Sequence, residues 1–176
     1  MSTNQNVTAA TDSQNVFQDI LESNRDYAND HVQLASGVAR RGLAIVTCID
    51  SRIDPLAAFG LAPGDAKVVR NAGARVTDDV LRTLVVATHL LGVKRIALVQ
   101  HTDCGMAAND QAAIVAAVKD RTGESAADVD FLSIDDQTAT LHTDAERVRS
   151  HKLLPLGITV GEFIFDVRGG KLEQIA

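Results

Sequence analysis

Apolar residues fall along this chain in two alternating rhythms: short solid runs, and longer stretches with a period between three and four. Leu43-Ala44-Ile45-Val46-Thr47 is a solid run rich in β-branched residues and predicts a strand buried on both faces, ending at Cys48. Lys67-Val68-Val69 and Arg95-Ile96-Ala97-Leu98-Val99-Gln100 predict two more strands, and 158–167 a last one. Between them the helical period takes over. Val16, Phe17, Ile20 and Leu21 share one face of a helix that Ser13 would cap and that runs to about Ala28. Pro55 opens a short helix that stops near Gly60. Thr77 reads as an N-cap, with Asp78 and Asp79 in the first turn, where the helix dipole favours negative charge. That helix passes through Val80, Leu84 and Ala87 to Leu91, and Gly92 ends it. Residues 107–119 are helical by composition. Ile134, Thr138, Leu141, Ala145 and Val148 recur at steps of four and three, which predicts an amphipathic helix ahead of Pro155. Strand and helix alternate, so the expected fold is α/β, a mostly parallel central β-sheet flanked by helices.

Size and charge narrow this picture. The chain of 176 residues suits one domain over residues 13–176, behind a polar tail at 1–12 expected to be flexible. The net charge of −6, without a basic cluster in sequence, argues against nucleic acid as a partner. No apolar run is long enough for a membrane span, and the polar start lacks a secretory pattern, so the expected location is the cytoplasm. Trp is absent and Tyr occurs once, which leaves no stacking platform for bases or sugars.

The candidate chemistry lies at the ends of the predicted strands. Open parallel sheets bind ligands beyond the carboxyl ends of their strands, and Cys48 and His101 both fall there. Cys104 follows His101 by three residues, so one turn presents both side chains to one ion. Two thiolates and an imidazole form a ligand set for a tetrahedral zinc with one exchangeable position, which generates hydroxide at neutral pH. Two buried thiols beside a solvated histidine, or a Cys48–Cys104 disulfide, are the alternatives. A closed structural zinc needs a fourth Cys or His. His31, His89, His142 and His151 lie in predicted helices or at their ends, so the nearby candidate is the carboxylate of Asp50. Arg52 stands two residues on. In extended chain the two side chains share a side, so an Arg fork would hold Asp50 off the metal; an ordinary surface pair is the alternative. The loop Arg70-Asn71-Ala72-Gly73-Ala74 either lines this site with amides and small side chains or is simply a tight turn.

These pieces together resemble the β-class carbonic anhydrases, in particular the short bacterial branch close to actinobacterial members. The matching stretches are Cys48-Ile49-Asp50-Ser51-Arg52, Arg70-Asn71-Ala72-Gly73, Thr77-Asp78-Asp79 and His101-Thr102-Asp103-Cys104-Gly105-Met106. They stand in the family's order, within a likeness reaching from about Phe17 to Val167. The resemblance implies one zinc per chain on Cys48, His101 and Cys104. It implies Asp50 as fourth ligand in a closed form or as the partner of Arg52. The small residues around 72–74 suit a small apolar substrate pocket, expected at Asn71, Ala72, Gly73 and Gly105. The resemblance further implies reversible hydration of CO2 to bicarbonate by a homodimer or homotetramer whose N-terminal helices wrap the neighbour. Some relatives instead hydrolyse carbonyl sulfide or carbon disulfide. A non-catalytic zinc-binding or thiol-redox protein is the reading from another class.

Overall fold

The computed structural model describes residues 16–176, which fall into two units, the first ending at Ala35 and the second spanning Ser36–Ala176. The first holds α1 (Gln18–Asn29). The helix starts behind Phe17 without a side-chain cap; the expected cap Ser13 and the tail at 1–12 lie outside the described residues. None of the helix residues is buried, and Val16, Phe17, Ile20 and Leu21 are all largely exposed.

The second unit is built on five strands: β1 (Leu43–Cys48), β2 (Ala66–Asn71), β3 (Arg95–His101), β4 (Thr159–Phe165) and β5 (Leu172–Gln174). Their order is β2-β1-β3-β4-β5, with the first four parallel and β5 antiparallel to β4. β1 lies between two neighbours, and every one of its residues is buried, as its solid apolar run predicts. Ala44, Val46, Ile96, Leu98 and Val160 pack in one core with α3 (Asp78–Leu90) and α6 (Gln137–Arg149). Leu43, Ile45, Ala97, Val99 and Phe165 pack in a second core with Ile53, Phe59 and Met106, around α2 (Pro55–Ala58) and α4 (Gly105–Ala108). Thr77 caps α3 by accepting from the Val80 N–H, as expected.

Three departures from the predicted elements have local causes. The helix expected over 107–119 is two, α4 and α5 (Gln111–Thr122), because the Asp110 carboxylate accepts from the Ala113 N–H and starts a second helix. The pattern beginning at Ile134 enters α6 only at Gln137, behind Asp136 as cap; Ile134 is a buried loop residue whose N–H donates to the Met106 carbonyl. The last strand stops at Phe165, not Val167. Asp166 accepts from the backbone N–H groups of Arg168 and Gly169 and turns the chain back into β5, which the apolar pattern did not predict.

The order β2-β1-β3 positions the site. The chain leaves β1 for one neighbour, then crosses back over β1 to reach β3 on the other side. Where the winding reverses, the carboxyl ends of β1 and β3 open a crevice.

Candidate metal centre

Cys48 is the last residue of β1 and His101 the last of β3, so the switch point brings them together across 53 positions of sequence. Asp103, at φ 54°, takes the left-handed conformation and folds the chain back within three residues of His101. Cys104 then stands immediately before α4. The two sulfurs and the ring nitrogen lie within 4.8 Å of one another, and all three residues are buried. Tetrahedral zinc with S and N ligands needs donor separations of about 3.5–3.8 Å, so the trio is within a small adjustment of a ligand set.

The hydrogen bonds of His101 fix its role. Nδ1 lies 2.8 Å from the Thr102 carbonyl, which only accepts, so Nδ1 carries the proton. Nε2 is then a bare acceptor, buried without a hydrogen-bond partner. An orphaned lone pair between two thiols is what a divalent cation would satisfy. Both cysteines are free thiols. The neighbouring Cys104 thiol pulls the Cys48 pKa down against the penalty of burial, with help from His101 and the N–H groups of Asp50 and Gly73. The neighbouring Cys48 sulfur and burial push Cys104 up, although the Met106 and Ala107 N–H groups at the start of α4 work the other way. Burial alone would depress His101; the negative charge of the neighbouring Cys48 sulfur, the Thr102 carbonyl on Nδ1 and the Asp50 carboxylate outweigh this and raise it. Four backbone amides thus face the two sulfurs and share their charge.

Asp50 and Arg52 do meet, by a different geometry from the extended one expected. The chain turns at residues 51–52, and Asp50 Oδ1 accepts from the Arg52 backbone N–H at 2.9 Å. The Arg52 guanidinium then closes a bidentate pair, Nε to Oδ1 at 2.9 Å and Nη2 to Oδ2 at 2.7 Å. These bonds hold the carboxyl well below the usual carboxylate range. Asp50 Oδ2 is 3.9 Å from His101 Nε2, so the paired carboxylate borders the three donors without joining their cluster.

The neighbouring loop, named from sequence, is held by hydrogen bonds that the sequence did not show. Arg70 donates from Nε to the Cys48 carbonyl and from Nη2 to the Asp50 carbonyl, at 2.9 and 2.6 Å, clamping the strand end that carries both side chains. Arg52 Nη2 also reaches the Asp103 carbonyl at 3.1 Å, tying the two ligand loops together. The Asn71 amide bonds both backbone groups of Arg75, at 2.7 and 2.8 Å, and so closes the 3₁₀ turn Ala72–Ala74. Gly73 sits in that turn at φ 75°, where a Cβ would stand 3.1 Å from Ile134 Cδ1 and 3.2 Å from Met106 Cβ. Ala72 and Gly105 are exposed, and a Cβ at Gly105 would meet nothing within 4 Å. The signal for Arg70 was present in its place at a strand end, but its target was visible only once β1 and β2 were in register, with Thr47 opposite Arg70.

A model of the carbonic anhydrase family matches residues 43–153, the stretch that contains every residue of this centre. Beta-carbonic anhydrase 1 of Mycobacterium tuberculosis is 34% identical over 160 residues, covering 91% of this chain and 98% of the relative. The chain belongs to the β-carbonic anhydrase family. Among solved β-carbonic anhydrase folds, the carbonic anhydrase of Streptococcus mutans superposes with a TM-score of 0.86 at 34% identity, over 91% of this chain and 97% of that one. A carbon disulfide hydrolase of Acidithiobacillus thiooxidans is also similar, 30% identical over 156 residues, 76% of each chain. The fold and family read from the residues are therefore borne out.

Proposed function

We propose that this chain is a zinc-dependent carbonic anhydrase that interconverts CO2 and bicarbonate. The convergence of Cys48, His101 and Cys104 beside a carboxylate held by Arg52 carries this reading, and membership of the β-carbonic anhydrase family supports it. Bound to the three donors, zinc would supply a Lewis acid that lowers the pKa of water to about 7 and so provides a nucleophile under mild conditions. The rest falls to the protein. Arg52 keeps Asp50 ionised, so Oδ2 accepts hydrogen bonds and never donates one. It therefore orients a nucleophile that presents its hydrogen to Asp50 and its lone pair to the substrate. The amides facing Cys48 and Cys104 draw charge from the sulfurs and limit how far two thiolates blunt the metal. CO2 needs little more than a small apolar space, and the turn Ala72–Ala74 with Met106 and Ile134 behind it supports such a wall.

The carbon disulfide hydrolase relative favours a second reading on the same residues, hydrolysis of carbon disulfide or carbonyl sulfide. Stopped-flow rates on CO2, carbonyl sulfide and carbon disulfide separate the two, using metal-quantified protein with Cys48→Ser as control. CO2 hydration well above the control is the expected result. Zinc-loaded protein no faster than the control on any of the three would refute the enzyme reading.

We further assign the working unit as a dimer or higher oligomer of this chain, with the cytoplasm as its location. The apolar face of α1, open along Val16, Phe17, Ile20 and Leu21, supports the first. Free thiols as ligands support the second, together with the finding that no described helix is long and apolar enough to cross a membrane.

A further inference from the structure

We propose a second, anion-binding site at the end of the sheet opposite the metal centre, taking a small molecule that carries two or more phosphate groups. A cavity of about 640 Å³ opens there, lined by residues 38–42, Gly92, Lys94 and Arg95 at the start of β3, and Thr159 at the start of β4. β3 runs seven residues from Arg95 at this rim to His101, and at about 3.3 Å per step this sets the cavity roughly 20 Å from the metal ligands.

Four lining residues are cationic, Arg40, Arg41, Lys94 and Arg95, and none is acidic. They gather against the sign of a chain that carries −6 overall. Among the described residues, the side chains of Arg41, Lys94 and Arg95 make no ion pair and no hydrogen bond. Arg40 is fixed from outside the cavity. Asp65 Oδ1 accepts from its Nε at 3.0 Å and lies 2.8 Å from its Nη2, and the Pro63 carbonyl accepts from Nη2 at 2.9 Å. That single neighbouring carboxylate leaves the cluster with a surplus of positive charge. Like charges lining one cavity repel, and a multivalent oxyanion among them lowers that penalty.

The rim is rigid enough to present them. The Gly42 carbonyl accepts from both the Lys94 and Arg95 N–H groups, at 2.8 and 3.0 Å, and the Ala39 N–H donates to the Leu91 carbonyl at 2.9 Å. Gly42 and Gly92 sit at φ 58° and 74°, and a Cβ on Gly92 would stand 2.6 Å from Val38 Cγ1, so the wall closes tightly there. The volume is that of a small-molecule site and exceeds what one oxyanion fills. Guanidinium forks match phosphate oxygens in pairs, and no aromatic side chain lines the cavity to stack a base. The phosphates are therefore what the site recognises.

Calorimetric titration of zinc-loaded protein at low salt tests this, with pyrophosphate as the probe and orthophosphate as its comparison. The expected result is one pyrophosphate per chain, bound about tenfold or more tighter than orthophosphate because two groups engage the forks. Raising the salt should weaken it. The exposed pair Arg41→Gln/Lys94→Gln should lose about tenfold or more in pyrophosphate affinity while keeping the wild-type rate of CO2 hydration. Absence of binding to the wild-type protein, equal affinity for the two phosphates, or pyrophosphate affinity unchanged in the double variant would each overturn the assignment.

Discussion

At the scale of single residues, Arg52 holds Asp50 through a turn in which it offers both its backbone N–H and its guanidinium to one carboxylate. Removing that partner should be costly. Arg52→Ala frees Asp50 to rise toward the ordinary carboxylate range, and kcat for CO2 hydration should fall by about a hundredfold or more. Arg52→Lys should recover only part of the loss, since an ammonium does not pair bidentately. The sign for Asp50 follows from its depressed pKa: the benefit of the ion pair is present above the unfolded value and lost only as pH falls into the strongly acid range. A decline in activity between about pH 8 and 6 therefore does not arise from protonating Asp50. The donors titrate differently. The Cys48–Cys104 pair gives up one proton readily and holds the second, and His101 is raised, so the second thiol and His101 must each lose a proton to bind a cation. Zinc affinity, measured against a chelator of known strength, should rise about a hundredfold per pH unit below the His101 pKa and about tenfold per unit above it. A flat profile would contradict the ligand set.

At the scale of elements, α3 could be read closely because its cap, its acidic first turn and its glycine stop all lie in local sequence. The break between α4 and α5 was hidden inside an alanine-rich stretch, where only the cap made by Asp110 divides one helix from the next. The turn that carries Gly73 owes its shape to distant groups. Arg75 reaches Asp144 of α6 at 2.8 Å and the Leu132 carbonyl at 2.8 Å, and the same Asp144 oxygen accepts from the Val76 N–H at 3.1 Å. Both side chains are largely buried, so cutting one leaves the other unpaired. Asp144→Ala should destabilise the fold by about 3–5 kcal/mol in denaturant titration, with Asp144→Asn costing less because it keeps an acceptor for Val76. Equal stability of Asp144→Ala and wild type would show that this pair does not hold the turn.

At the scale of the molecule, the alternation of strand and helix was enough to give a mostly parallel sheet with its site at the carboxyl ends of the strands, whereas the order β2-β1-β3 that makes the switch point is set by the packing of the crossovers. The short antiparallel β5 was not legible either, because three residues with a weak apolar signal form a strand only where the edge of β4 is open to them. The apolar face of α1 has no role inside its own unit, in which no helix residue is buried. If a second copy covers it, Ile20→Glu/Leu21→Glu should shift the assembly to monomer in light scattering. An assembly of unchanged mass would remove α1 from the interface. The central claim, one zinc on two sulfurs and one ring nitrogen with a position left for solvent, is tested most directly by X-ray absorption at the zinc edge on purified protein. The account predicts two Zn–S distances near about 2.3 Å and two shorter Zn–N/O distances near about 2.0–2.1 Å, one from His101 and one from an exchangeable oxygen. A shell of four protein ligands with no exchangeable oxygen, or zinc bound without sulfur, would contradict it.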